Sequence, residues 1–403
     1  MPEGRGGRRG EGVRSDCYIG IETRDSGGVE IAMKSKVESM YGQSIIDIVK
    51  DGLRFYGIEH AAVEVEDQGA LPFTVMARLE IAVKRANPSE TREFLPEMQS
   101  GCTYGTDRHR MRRSRLYLPG NETRFMVNAG LHKPDGVILD LEDSVHPSEK
   151  DAARILVRNA LRQIDFFGSE RMVRINQGEL ALKDLESVVP HNVHIILIPK
   201  CETGDEVKAI DEKVQTVRKE RGVANEVYLM PIIESGLGAI NAYEIASASP
   251  NNVALTIGLE DYTADIGTRR TPEGRESFWA RSAVVNAARA AGLQPIDTVF
   301  SDVSDMAGLR KSVIEAKSLG FDGKGCIHPR QIRVIHEAFA PEEAEVERAK
   351  KIVLAFEEAE KKGLGVVSLG SKMIDPPVVK RALHTVDMAI ATGVLNADWR
   401  DSE

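Results

Sequence analysis

Hydrophobic and polar positions alternate with two different rhythms along the chain. In the first part, "GVEIAMKS" (28–35) is strand-like and "HAAVEVEDQG" (60–69) alternates apolar and polar residues, as a half-buried strand does. Between them, "VESMYGQSIIDIVKDGLRFYG" (37–57) has helical spacing and stops at Gly57. "LPFTVMARLEIAVKRA" (71–86) reads as a strand running into a helix. These elements delimit a unit over 13–86, small enough that its core is marginal unless it docks. The preceding "MPEGRGGRRG" is basic and Gly-rich, so 1–12 is expected to be a disordered tail, with an arm touching a polyanion as the alternative. Residues 87–110 have neither period and carry Pro, Ser, Gly and Thr, which predicts a linker.

From about 111 the rhythm changes. Short apolar runs recur, each followed by a helical stretch: "SRLYLPG", "GVILDLED", "RMVRINQG", "VHIILIPK", "VYLMPIIES", "VALTIGLED", "PIDTVFSD" and "FDGKGCIHP". Runs without polar alternation suit parallel strands buried on both faces. Eight such βα units over 111–335 predict an α/β fold of the TIM (β/α)8 barrel class, with an open doubly wound sheet as runner-up. No Gly-x-Gly-x-x-Gly follows the first run, which weakens a dinucleotide-binding version of that alternative. Residues 336–403 predict a C-terminal helical extension: a charged amphipathic helix in "APEEAEVERAKKIVLAFEEAEKKG", the turn "SLGSKMIDPP", and a last helix.

Composition narrows the function. The 403 residues carry a net charge of −9, which argues against nucleic acid as a main partner. No apolar run approaches the roughly 20 residues that span a bilayer, and the N-terminus lacks the apolar segment of a secretory signal. Cys17, Cys102, Cys201 and Cys326 are far apart, so neither a zinc site nor a disulfide framework is expected, and a reducing cytoplasm fits.

The chemistry of a TIM barrel gathers at the C-terminal ends of its strands. Those ends carry Asp140, Glu142 and Asp143, then Arg174 and Asn176, Lys200, Glu234, Glu260 and Asp261, Asp302, and His328. Singly, each has a plain reading: a helix cap, an ion-pair partner, a Gly-rich turn. Together, oxygen donors without Cys or paired His point to Mg²⁺ or Mn²⁺ with cationic clamps for an anionic substrate.

"RRSRLYLPGN", "LDLEDSVHPSEKDAAR", "VRIN", "LIPKCET", "PIIES", "GLEDYTADIG", "GFDGKGCIHPRQI" and "SKMIDPPVV", in that order over roughly 110–395, resemble the citrate lyase β-subunit family of the HpcH/HpaI aldolase superfamily. The resemblance implies a TIM barrel, commonly trimeric, that uses Mg²⁺ to cleave a C–C bond in a β-hydroxyacyl thioester and yields a keto acid and an acyl thioester. It implies Glu234 and Asp261 as metal ligands and Arg174 as the group holding the keto-acid or thioester oxygen. Asp375 becomes an acid delivered by the C-terminal segment, often to a neighbouring subunit. Asp140, Glu142 and Asp143 lie beside the metal, acting through water. Citryl, malyl and citramalyl thioesters all remain open as substrates, as do a thioesterase and a non-catalytic scaffold of a lyase complex.

Residues 13–86 resemble the citrate lyase acyl carrier protein (the γ subunit), through "EIAMKSKVESMYGQSIIDIVKDGL", "VEVEDQGAL" and "ARLEIAVKRA". That implies a small α+β domain bearing a phosphoribosyl-dephospho-CoA arm, and a citrate lyase α (transferase) subunit as partner. The attachment serine of that family lies in a Glu-Ser-x-Asp-like pattern. Here "VRSDCY" places Arg14 at that position and Ser15 one residue later. Either Ser15 carries the arm in a shifted register, or the domain is unmodified and free acyl-CoA is the substrate.

Overall fold

The computed structural model describes residues 2–361, 367–369 and 372–402. Its N-terminal domain is a four-stranded sheet, order β1-β2-β4-β3, formed by β1 (Glu3–Gly7), β2 (Cys17–Thr23), β3 (Val29–Ser35) and β4 (Ala61–Asp67). β3 and β4 run parallel and the other pairs antiparallel. Helices α1 (Glu38–Phe55) and α2 (Pro72–Ala86) pack on it around Ile19, Ile21, Val49, Leu53, Val63, Val65, Val75 and Leu79.

Two expectations are corrected here. The first residues are a strand, not a disordered tail: β1 pairs with β2 from Glu3↔Glu22 to Gly7↔Tyr18. Its glycines serve contact with α2, since a Cβ on Gly4 would stand 1.9 Å from the Ala82 carbonyl oxygen and one on Gly6 2.3 Å from that of Arg78. Segment 71–86 is helical from Pro72 onward, with no strand. Its apolar run hides the helical period because α2 is buried on two sides. Val75, Leu79 and Val83 face the small domain, whereas Phe73, Ala77 and Ile81 join the core of the barrel.

α2 docks on the helix Lys150–Gln163 with two ion pairs, one of them buried, and grips its own domain with a third. The Arg158 guanidinium donates to both oxygens of Glu80 at 2.9 and 2.7 Å, with both side chains fully buried. Arg78 donates to both oxygens of Asp16 at 2.9 and 2.8 Å, and Arg85 to those of Asp151 at 3.1 and 2.7 Å. Segment 87–110 is irregular but tied down. Arg162 and Gln163 donate to the carbonyls of Pro96 and Glu97, and Arg108 to those of Pro250 and Asn252. Arg112 then pairs with Glu170 beneath the barrel.

The barrel is closed by eight parallel strands: β5 (Ser114–Pro119), β6 (Gly136–Asp140), β7 (Glu170–Arg174), β8 (Ile195–Ile198), β9 (Tyr228–Ile233), β10 (Ala254–Ile257), β11 (Gln294–Asp297) and β12 (Gly323–Cys326). Each overlaps one of the eight predicted runs, with β7 and β11 starting one residue earlier. Ile138, Met172, Leu197, Met230, Ile232 and Ile296 fill the interior, and a larger apolar layer separates the strands from the helices. The 87–112 strap covers the N-terminal end, so the C-terminal end is the open one.

Helices Glu343–Lys361 and Pro376–Ala391 form a C-terminal pair with its own core around Val353, Ile374, Val386 and Trp399. β13 (Val367–Leu369) and β14 (Lys372–Ile374) pair antiparallel across the turn expected in "SLGSKMIDPP", whose Gly370 and Ser371 lie outside the described residues. Among the described residues no helix is long and apolar enough to cross a membrane.

Burial alone would raise the Glu80 carboxyl, but the Arg158 and Lys84 cations outweigh it and hold it below its ordinary value. Glu80→Ala leaves the buried Arg158 with the half-buried Glu93 as its remaining carboxylate and should lower the unfolding free energy by about 3 kcal/mol in a urea titration at neutral pH. A depressed carboxylate stabilises fully above its unfolded-state value of about 4.3 and loses that contribution as pH falls through the folded one, so the gap between wild type and variant should narrow below about pH 4.

Candidate active site

A cavity of about 470 Å³ opens at the C-terminal end of the strands. Asp140 ends β6 beside Arg174, which ends β7, and the two are register neighbours. Arg174 Nε and Nη2 donate to the two Asp140 oxygens at 2.7 and 2.8 Å. The same oxygens accept the backbone N–H groups of Glu142 (3.0 Å) and Ser144 (3.2 Å), which folds the loop after β6 over the pair. Burial would raise the Asp140 carboxyl, but Arg174 dominates and keeps it below its ordinary value. Arg174 Nη1 also reaches Glu142 at 3.1 Å and Asp143 at 3.4 Å, and its guanidinium stands 5.5 Å from the Tyr117 ring centre.

Lys200, just beyond β8, has left-handed backbone (φ 49°), uncommon for a residue with a side chain. That conformation accompanies two contacts: its N–H donates to Glu234 Oε2 at 2.8 Å, while its ammonium reaches Glu142 at 2.6 Å and Asp143 at 3.0 Å. Glu234 follows β9 and is only 6% exposed. Gly258 at the end of β10 makes room for it, since a Cβ there would lie 2.4 Å from Glu234 Oε1. Asp261, in the first turn of the helix Leu259–Asp265, lines the same cavity, half-buried. Burial pushes the Glu234 carboxyl up to about 7, with the Asp261 and Glu142 charges adding to it and Arg174 and the Lys200 N–H opposing. Two carboxylates lining one cavity, one of them costly to ionise alone, are a donor set suited to a hard divalent cation, which would leave its remaining positions to water and substrate. Among the described residues no cluster of three or more His, Cys, Asp or Glu side chains is arranged to hold a metal.

The cavity thus brings together Arg174, Glu234, Asp261, Asp140 and Asp143. Glu142 is tied behind them by Lys200 and Arg174. Glu260 bonds Arg270 (2.7 Å) and Ser301 (2.9 Å) at the rim. Asn176 turns away to Asp184, Asp302 caps the turn at Ser304, and His328 caps the helix Pro329–Phe339. Asp375 caps the helix Pro376–Ala391 by accepting from the Val378 N–H at 3.2 Å, and does not line the cavity of its own chain. Ser15, at φ 54°, lies in the β1–β2 loop, its N–H on the Gln68 carbonyl. That loop adjoins the open end of the barrel: Arg8 pairs with Glu122, and Arg78, which grips Asp16, reaches the Asn121 carbonyl at 3.5 Å. Arg115, Tyr117, Thr256 and Thr298 also line the cavity and were not among the expected site residues. The available signal was an Arg and a Tyr at alternate positions in the otherwise apolar run "SRLYLP".

Fold and site together define a TIM-barrel protein whose open end couples a carboxylate pair to a braced arginine. Residues 113–329 match the family described as HpcH/HpaI aldolase/citrate lyase, and residues 10–86 match malonate decarboxylase delta subunit (MdcD). The chain belongs to the HpcH/HpaI aldolase/citrate lyase family. It is 42% identical to citrate lyase subunit beta of Haemophilus influenzae, over 70% of this chain and 97% of that one. It is 33% identical to the mitochondrial citramalyl-CoA lyase of Homo sapiens, over 69% and 85%. Among solved structures it is similar to the protein CitE from Mycobacterium tuberculosis in complex with magnesium, acetoacetate and coenzyme A: TM-score 0.58, 28% identity, 70% of this chain and 99% of that one.

Gly258 has φ −110°, which alanine adopts freely, so Gly258→Ala acts through Glu234 alone. The added methyl should displace that carboxylate and weaken Mg²⁺ binding about 10- to 100-fold by calorimetry, with the melting temperature near that of wild type.

Proposed function

We propose that the protein is a Mg²⁺-dependent C–C lyase that splits a citryl thioester into oxaloacetate and an acetyl thioester. The observation that carries this reading is the placement of Glu234, Asp261 and Arg174 around one cavity at the open end of the barrel. Glu234 and Asp261 would hold the ion, which when bound supplies Lewis acidity toward the substrate's oxygens. In the reaction a proton leaves the substrate hydroxyl, whose oxygen becomes the keto-acid carbonyl. The C–C bond breaks, and its electron pair passes to the thioester α-carbon as an enolate that is then protonated. Arg174, held rigid by Asp140, presents its guanidinium to the oxygens where negative charge gathers. Asp143, at the cavity wall, would accept from water held by the ion, and Glu142 holds Lys200 in place behind it.

Asp375 serves as the proton relay in the cavity of a neighbouring copy. Its absence from the cavity of its own chain, and the separate core of the C-terminal helices, support that reading. The working form is accordingly a homo-oligomer, a trimer, located in the cytoplasm and fed by an α-type transferase subunit. Ser15 carries the phosphoribosyl-dephospho-CoA arm, a reading supported by the contact of its loop with Asn121 and Glu122 beside the barrel mouth.

Glu234→Gln should abolish calorimetric Mg²⁺ binding and lower kcat/KM for citryl-CoA about 100- to 1000-fold; unchanged Mg²⁺ affinity would remove Glu234 as a ligand. Mixing inactive Glu234→Gln and Asp375→Asn subunits should restore part of the activity, because some cavities then receive one intact copy of each residue. No recovery after subunit exchange would place Asp375 within its own chain or outside the mechanism. Intact-mass spectrometry of the native protein should find the arm on a peptide containing Ser15; an unmodified peptide would make free CoA thioester the substrate.

A further inference from the structure

The interior face of β5 carries Arg115 and Tyr117, whereas Leu116 and Leu118 point outward into the helix layer. Arg115 is 1% exposed, yet it lines the cavity below the metal-site carboxylates. Its Nη2 donates to Thr256 Oγ1 at 2.9 Å and its Nη1 lies 3.0 Å from Met230 Sδ. Its Nε is buried without a partner. Among the described residues no carboxylate lies within ion-pair distance of it.

Other fully buried cations of this protein are compensated. Arg78 has Asp16, Arg112 has Glu170, Arg158 has Glu80, and Lys324 has Asp297. Arg171 has the carbonyls of Cys102 and Leu161. Arg174, at the other wall of the cavity, has Asp140, Glu142 and Asp143 as partners. A buried guanidinium without a counter-charge is costly, and burial accordingly lowers the proton affinity of Arg115. A carboxylate entering the cavity would supply the missing partner in the planar geometry that guanidinium favours.

The cavity thus has the metal-site carboxylates at its mouth and Arg115 at its floor, where a nearby carboxylate, Asp297, is already paired with Arg281 and Lys324. That polarity fits an acyl unit with oxygen donors at one end and a further carboxylate at the other. We propose that Arg115 receives the second carboxylate of the acid half of the substrate, and so sets a preference for citryl over citramalyl or malyl thioesters. The two larger substrates differ at this point alone: the carboxymethyl group of the citryl unit is a methyl group in the citramalyl unit. In the malyl unit it is a hydrogen. The inference rests on the lyase reading above and adds to it the group that selects the substrate.

The test is the ratio of kcat/KM for citryl-CoA to that for citramalyl-CoA, in wild type and in Arg115→Met, Arg115→Gln and Arg115→Lys, together with calorimetric binding of oxaloacetate and pyruvate. Wild type should favour citryl-CoA. Arg115→Met should lower the ratio about 10- to 100-fold, mainly through KM for citryl-CoA, and weaken oxaloacetate binding while leaving pyruvate binding and citramalyl-CoA cleavage in place. Arg115→Lys should recover part of the ratio. A ratio unchanged in Arg115→Met would overturn the assignment and leave the lyase reading intact. A wild type that cleaves citramalyl-CoA in preference would overturn both. Loss of the fold in all three variants, seen by circular dichroism, would make Arg115 a strut of the barrel floor and overturn it as well.

Discussion

The pairing of Asp140 with Arg174 is the constraint on which the open end of this barrel is built. It joins the ends of two adjacent strands, and each partner removes the desolvation cost of the other. Asp140 also accepts two backbone N–H groups, so the same carboxylate that fixes the guanidinium folds the loop bearing Glu142 and Asp143. Those two acids engage Lys200, and the Lys200 backbone engages Glu234. A chain of direct contacts thus runs from β6 to β9, across half of the barrel. Three carboxylates in four residues at a strand end would repel one another; here two cations placed among them turn that repulsion into a scaffold.

The small domain is held by the same kind of interaction on the outside of the barrel. A sheet of four strands and two helices has little apolar surface to spare. α2 solves this by serving two cores at once and sending Arg78, Glu80 and Arg85 to partners on both sides. Asp16, next to Ser15, is one of those partners. The loop that bears the proposed attachment point is therefore locked to the helix that docks the domain, beside Asn121 and Glu122 at the barrel's working end. With the domain held in that position, an arm attached at the proposed point would have to span the distance to the cavity by itself.

The barrel was legible because strands buried on both faces announce themselves as unbroken apolar runs, and eight of them alternate with helices. Strand ends in a barrel converge, which put Glu234, Asp261 and Arg174 on a longer list of candidates; the family resemblance picked them from it, and they line one cavity, whereas Asn176, Asp302 and His328 bond elsewhere. Where several physical demands fall on the same residues, local pattern misleads. The glycines of β1 look like those of a flexible tail, yet they permit a close backbone contact. α2 lacks a polar face because both its sides are covered. Glu142 and Asp143 look equivalent in sequence, but ion pairing draws the first behind the cavity wall and leaves the second on it. Arg115 and Tyr117 alternate with leucines in "SRLYLP", which marks one face of a strand but not a site; burial at the cavity wall without a carboxylate partner, a property of the folded chain, singles Arg115 out. Asp375 caps a helix in its own chain, so its proposed role depends on an assembly that no single-chain pattern displays.

Assigning Asp140 to the arginine, and Glu234 with Asp261 to the cation, separates two functions that the run of acids in "LDLED" invites one to merge. Calorimetry of Asp140→Asn tests this directly, with Mg²⁺ titrated first and oxaloacetate second. Mg²⁺ affinity should be unchanged and oxaloacetate binding weakened about tenfold or more, because Arg174 loses its brace. Loss of Mg²⁺ affinity with oxaloacetate binding preserved would place Asp140 at the metal and contradict this assignment.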